Sequence, residues 1–236
     1  MLFRSARGLG SSASAIVGAL FAANALIGSP LSEAKLFDMA TALEKHPDNV
    51  GASLFGGIIT AVWDGKHADY IRIDPPARLG TVVVIPDLHL ATSKAREALP
   101  AQVNLTDAVY NISRSSLMTA ALSAGRLDLV RAAMQDRIHQ PYRAPLVPGM
   151  PRILAEAPDQ GALGVALSGA GPTIIAFVDR DDRRVDDLKA YLVKAMEAEG
   201  ISASCFCLDP AAEGVRTMDD INNRSFLDMI RGEVTA

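Results

Sequence analysis

With 236 residues, 49% of them hydrophobic and 21% charged, the chain is long and apolar enough to bury a core as one large domain or two small ones, which excludes a disordered polypeptide. Its 23 basic and 27 acidic residues give a net charge of −4 and are interspersed, so it carries no basic stripe of the kind that tracks nucleic-acid phosphates. A small or anionic ligand held by a few local charges is the class that remains.

In chain order, the first feature is ARGLGSSASA at 6–15. Its glycines allow positive φ and a close approach to a ligand, and its small serines open a helix whose first amides lack internal partners, a combination that accepts an anion. One helix terminus contributes only ~0.3–1 kcal/mol per charge, so several amides, hydroxyls and a metal ion must act together on a triphosphate. No lysine stands between Gly8 and Lys35, which excludes a Walker A loop. By shape alone the stretch reads equally well as a helix start with a flexible lead-in.

Residues 13–27, ASAIVGALFAANALI, are too short for a membrane span and follow a Gly/Ser loop, so they read as a buried helix. Ser32 caps a second helix over 33–45, with Leu36, Met39, Ala40 and Leu43 on its apolar face, and HPDNVGASLFGG ends it. GIITAVW, ADYIRI and TVVVIP read as strands, the last buried on both sides because its apolar run does not alternate. Helices are expected over 92–98, 105–123 and 127–137, the middle one burying Val109, Ile112, Ser116, Met118 or Thr119, and Leu122. Prolines 141, 145, 148 and 151 argue against regular structure across PYRAPLVPGMP.

Beyond them come a helix near 150–157, strand GALGVALS, a GAGPT turn, strand IIAFVD, a helix over 183–199 and strand SASCFCLD, with a short helix expected from 216. Helices and strands in this order predict an α+β sandwich rather than a doubly wound sheet. Cys205 and Cys207, on one face of the last strand, suit a reducing cytoplasm and read as small buried hydrophobes, because no further ligands stand near enough for a metal site.

RGLGSSASA resembles the second motif of the GHMP kinases, and LSGAGPT their third. EKHPDNVGASLFGG, ATSKAREALP, DAVYNISRSSLM and DRIHQPYRAPLVPG, between them in order, look in particular like homoserine kinases. The resemblance implies a two-domain GHMP fold: a remnant of an S5-like ATP-binding domain over 1–76, and a ferredoxin-like α/β sandwich over 77–236. It implies transfer of phosphate from ATP, with Mg²⁺, to the hydroxyl of L-homoserine in threonine biosynthesis.

Carried over by position, Arg7, Gly8, Leu9, Gly10, Ser11, Ser12, Ala13 and Ser14 would hold ATP, and Ser12 and Glu44 the magnesium. Arg96 and Arg143, with Thr92 alongside, would bind the substrate carboxylate, and His46, Asp48 and Asn49 its amino and hydroxyl ends. Gly169 and Gly171 would support the phosphate loop, and no residue is assigned as general base. A cytoplasmic homodimer without nucleic-acid or membrane partners is the accompanying expectation. Alternatives are a non-catalytic metabolite-binding remnant, and a kinase for another hydroxy compound such as mevalonate or a sugar.

Family members carry strands and a first motif ahead of the loop, where this sequence has only MLFRS before ARGLG. The resemblance therefore implies an N-terminally truncated chain, with an unpaired sheet edge and exposed Ile16, Leu20 and Phe21.

Overall fold

The computed structural model describes residues 7–217. Helix α1 (Ser11–Leu26) starts at Gly10, whose φ of 72° is left-handed, and the reading of a fully buried helix does not hold. Only Ala13, Val17 and Asn24 are buried, and Leu26 and Ile27 face solvent, because α1 has helices on one side only. Ile16, Leu20 and Phe21, expected to be exposed, instead pack half-buried on the N-terminal core.

Helix α2 (Glu33–Glu44) is capped as its sequence predicts, Ser32 Oγ accepting from Lys35 N. Its buried face is Leu36, Phe37, Ala40 and Thr41, while Leu43 is exposed. The shift follows Phe37, whose ring meets those of Phe55 and Tyr70 edge-on, at 5.3 Å from each. HPDNV, expected as a break, opens a third helix, α3 (Pro47–Phe55): proline at the first position costs nothing there, because that amide has no helical partner. Strands β1 (Ile58–Trp63) and β2 (Ala68–Ile73) form a two-stranded antiparallel sheet. One of its faces sends Ala61, Trp63 and Ala68 into the same core, and the other leaves Val62 66% and Ile71 67% exposed.

The remaining strands, β3 (Leu79–Pro86), β4 (Gly164–Leu167), β5 (Ile174–Asp179) and β6 (Ala203–Leu208), make one antiparallel sheet in the order β4-β5-β3-β6. The succession β, helices, β, β, helix, β in this order is the split βαβ, ferredoxin-like arrangement. Between β3 and β4 lie α4 (Thr92–Glu97), α5 (Leu105–Ser123), α6 (Val130–Ala133), α7 (Gln140–Arg143) and α8 (Met150–Glu156); α9 (Val185–Glu197) joins β5 to β6. Central β3 is buried on both faces, as its apolar run requires. Val82, Val84, Ile174, Ala176, Ile153, Leu188, Leu192 and Met196 form the core between sheet and helices.

Several expectations fail here for local reasons. Val109 and Ile112 of α5 face solvent, and only Ala121 and Leu122 at its far end are buried, because α5 meets its neighbours chiefly there, near α6. The helix expected over 127–137 shrinks to α6 after a 3₁₀ turn, and α7 forms despite Pro141, which again occupies a first-turn position. Cys205 is half-buried against the core, its thiol pushed up to about 11 by burial, while Cys207 is exposed on the edge strand. The helix expected from 216 lies almost wholly outside the described residues.

The two cores are stitched twice. Ser168 donates to Gly8 O (2.7 Å) and Thr173 N to Arg7 O (3.3 Å) at the glycine loop. After β6 the chain returns to the N-terminal half: Gly57 N donates to Ala211 O (2.7 Å), Arg72 to Ala212 O (2.6 Å) and Val215 N to Ser53 O (2.9 Å).

Candidate active site

The glycine loop depends on glycine at two positions, strictly at Gly8 and by its left-handed φ of 72° at Gly10. Gly8, at φ 80°, lies so close to the β4–β5 turn that a Cβ there would stand 2.2 Å from Ser168 O. At Gly10 the same atom would press on the Asn49 side chain at 3.2 Å. The loop therefore lies flat between the turn that carries Gly169 and Gly171 and the start of α3, and the first turn of α1 opens into a cleft of about 470 Å³. Ser12, the second residue of that helix, donates its hydroxyl to Glu44 Oε1 at 2.6 Å, joining residues 32 positions apart.

The facing wall comes from α4 and α7. Arg143 is 5% exposed and has no carboxylate within ion-pair distance among the described residues; its Nε donates to Ala95 O (2.7 Å), and one terminal nitrogen to Gly169 O (3.1 Å) and to His139 Nε2. Burial, and then the charge of Arg96, lower the Arg143 pKa. Two guanidiniums thus work against each other across open space, which an anion between them would relieve. Arg96 itself donates to His46 Nε2 at 2.6 Å.

Asp136, just before α7, accepts from Asn111 Nδ2 (2.6 Å) and from the amides of Ile138 (3.0 Å), His139 (3.1 Å) and Gln140. Burial opposes its charge, but the bonds from Gln140, Asn111 and Ile138 outweigh that and hold its pKa below the usual carboxylate range. Gln140 in turn accepts from Leu167 N (2.9 Å), fixing α7 to the end of β4. Burial and then Arg143 push the His139 imidazole below the ordinary histidine range, Asp136 acting the other way.

Of the residues read from the sequence, Arg7, Gly8, Leu9, Gly10, Ser11, Ser12, Glu44, His46, Asp48, Asn49, Arg96, Arg143 and Gly169 line this one cleft. Ala13 lies under the loop in the core, and Ser14 turns away to bond Gly10 O and Ser53. The Arg7 guanidinium is tied to Pro86 O (2.6 Å) and Leu88 O (3.0 Å), anchoring the loop to the end of β3. Gly171, at φ 82°, shapes the supporting turn, and Thr92 opens α4 after its cap residue Ala91. Sequence reasoning missed His139 and Asp136. The four-residue spacing of His139 and Arg143 within HQPYR, one helical turn, is the signal that could have found the first.

Models of known families match two parts of the chain: the GHMP kinases N terminal domain over residues 3–57, and the GHMP kinases C terminal region over 118–198. The fold is thus that of the GHMP kinase class. The homoserine kinase of Deinococcus radiodurans is 50% identical over 197 residues, 84% of this chain and 64% of that protein. That of Persephonella marina is 43% identical over 209 residues, 89% of this chain and 69% of that protein. A crystal structure of homoserine kinase from Cytophaga hutchinsonii superimposes with a TM-score of 0.82 at 28% identity, over 89% of this chain and 68% of that one. The chain belongs to the homoserine kinase family. It spans a little under two thirds of the length of the Deinococcus relative.

Proposed function

We propose that this cleft moves the γ-phosphoryl group of ATP onto the side-chain hydroxyl of L-homoserine, giving O-phospho-L-homoserine. The observation that carries the reading is the arginine pair: among the described residues Arg96 and the buried Arg143 stand without carboxylate partners, across one cleft from the glycine loop and the Ser12–Glu44 pair. A planar guanidinium suits a substrate carboxylate. Asp48 and Asn49 offer the acceptors that an ammonium and a hydroxyl ask for, and His46, whose Nε2 accepts from Arg96, lines the same end of the cleft. Thr92, whose side chain lies outside what the structure describes, is assigned to the carboxylate by the family resemblance alone, and Gly169 and Gly171 let the supporting turn approach the loop.

The residues present fit magnesium. Ser12 and Glu44 bring a hydroxyl and a carboxylate oxygen within 2.6 Å, a hard-oxygen pair that leaves the other sites of an octahedral ion to phosphate and water. Bound there, the ion would neutralise charge developing on the β- and γ-phosphates. The glycine loop orients the phosphates from residues 8–12, the arginines fix the acceptor, and the transfer depends on alignment, since a loose transition state needs little deprotonation of the hydroxyl. No side chain is given the role of general base.

On the same reading, residues 1–76 bind nucleotide, residues 77–236 supply the arginines of the acceptor wall, and the enzyme works as a cytoplasmic homodimer in threonine biosynthesis. Among the described residues no helix is long and apolar enough to cross a membrane.

Coupled detection of ADP with Mg²⁺ and ATP, run with L-homoserine, with mevalonate and without acceptor, tests the reading. ADP release that depends on homoserine is expected. Turnover of mevalonate alone, or homoserine binding by calorimetry without nucleotide affinity, would overturn it in favour of another kinase or of a metabolite-binding protein.

A further inference from the structure

We infer that His139, set by Asp136, is a positioning residue that aims Arg143 at the substrate carboxylate without cancelling its charge, and that protonation of His139 switches this recognition off. The inference deepens the proposed reading of the cleft and rests on it for the identity of the carboxylate.

The geometry fixes the chemistry of the imidazole. A guanidinium only donates hydrogen bonds, so His139 Nε2, facing Arg143, must be the unprotonated, accepting nitrogen, and the ring proton then sits on Nδ1. Nδ1 lies 4.0 Å from Asp136 Oδ2, on the side that favours this tautomer. Asp136 is itself immobilised by Asn111 and three backbone amides of the turn that leads into α7, so it sets where the imidazole stands. Arg143 is then held by three neutral acceptors, His139 Nε2, Ala95 O and Gly169 O.

A neutral set of partners matters. An aspartate in the place of His139 would orient Arg143 equally well, but it would satisfy the positive charge that a substrate carboxylate must use. Arg96 repeats the arrangement, donating to His46 Nε2. The site thus aims two cations with two imidazoles and keeps their combined charge for an anion.

It also makes recognition sensitive to acid. A proton on Nε2 turns the acceptor into a donor aimed at a donor, and adds positive charge beside Arg143. Asp136 and Arg143 on its own segment touch His139, while Arg96 on α4, Arg114 on α5, Arg7, whose guanidinium is tied to Pro86 O and Leu88 O, and Glu44, His46 and Asp48 line the two clefts it borders. Burial, and then the charge of Arg143, lower the imidazole's pKa, with Asp136 acting the other way.

The test pairs kinetics with NMR on the whole chain from about pH 5 to 8, the range in which histidine titrates. In the wild type, KM for homoserine should rise as pH falls through the His139 titration, while KM for ATP stays flat. His139→Asn keeps a neutral acceptor and should flatten that profile; His139→Ala should raise KM for homoserine roughly tenfold above the His139 titration, the worth of one hydrogen bond to a charged group, and by progressively less below it, where the wild type has lost the same bond. Asp136→Asn should reproduce part of the rise. An unchanged homoserine KM in His139→Ala, or equal losses for both substrates, would overturn the inference.

The Arg143 Nε–H resonance should shift with the His139 titration and stop shifting in His139→Asn, a readout that needs no turnover. If homoserine is not phosphorylated yet that coupling is present, the proposed function fails and the positioning role stands. If the coupling is absent, the positioning role fails whatever the substrate.

Discussion

The two β-structures of the molecule are both antiparallel and both pack on helices, yet β3 is buried on its two faces while the β1–β2 sheet leaves Val62 and Ile71 to solvent. The larger sheet is covered by several helices and holds the walls that carry Arg96, His139 and Arg143. The smaller one shares a modest core with α1, α2 and α3, beneath the glycine loop. Cation positions are thus set by the better-packed half, and the anion-binding loop lies where the weaker half is sewn to it. Stability should therefore be unevenly distributed, with the N-terminal half opening first.

Core truncations are the strongest way to break this picture. Phe37→Ala removes the ring that joins Phe55 and Tyr70 and should cost roughly 3–5 kcal/mol. Hydrogen exchange should show that loss confined to residues before β3. Leu192→Ala, in the larger core, should cost roughly 2–5 kcal/mol and lower protection in both halves. A uniform loss in the first variant would remove the distinction.

Gly8→Ala strikes the seam. With positive φ and a Cβ at 2.2 Å from Ser168 O, the loop must move, at a cost of about 2–3 kcal/mol. Nucleotide affinity in calorimetry should fall more than the melting temperature. Arg143→Ala acts on the opposite wall: KM for homoserine should rise roughly 10- to 100-fold with nucleotide binding retained, the loss of one or two charged hydrogen bonds. Equal loss of both ligands would place Arg143 in a structural role alone.

The smallest effect concerns two histidines with opposite senses. His67 bonds Asp38 Oδ2 at 3.0 Å and lies 3.6 Å from Asp69, and the Asp38 bond and charge raise its pKa. Its contribution to stability is complete below the unfolded-state pKa and fades as pH rises through the folded one. His139, whose pKa is lowered by burial and by Arg143, loses its contribution as pH falls from the ordinary histidine range through its folded value. Melting curves of His67→Gln should converge on wild type at mildly alkaline pH and fall below it under mildly acid conditions; a constant offset would show that the Asp38 contact does not titrate.

All six strands could be read from the chain, because alternation and apolar runs are local signals, and Ser32 announced α2. Helix α3 was missed because Pro47 was weighed as a breaker when its position made it a starter. The face of α5 was misread because periodicity states that a stripe exists without stating that anything covers it: Val109 and Ile112 remain exposed. In the site, the motif resemblance led to Ser12, Glu44, Arg96 and Arg143, which the fold brings to one cleft. His139 and Asp136 stood inside a recognised segment and went unassigned, since their roles depend on burial and on which nitrogen faces which donor.

The return of residues 211–215 to α3 and β2 has a consequence for how the chain is made. Arg72 waits for the carbonyl of Ala212, 140 positions later, and Ser53 for the amide of Val215. At about 5–20 residues per second, a ribosome needs roughly 7–30 s to supply that stretch. Through that interval the N-terminal half emerges without its closing segment, while the C-terminal sheet lacks β6, so neither half can complete until residues 203–215 have been made. The glycine loop, which leans on the turn between β4 and β5, should be among the last parts to set.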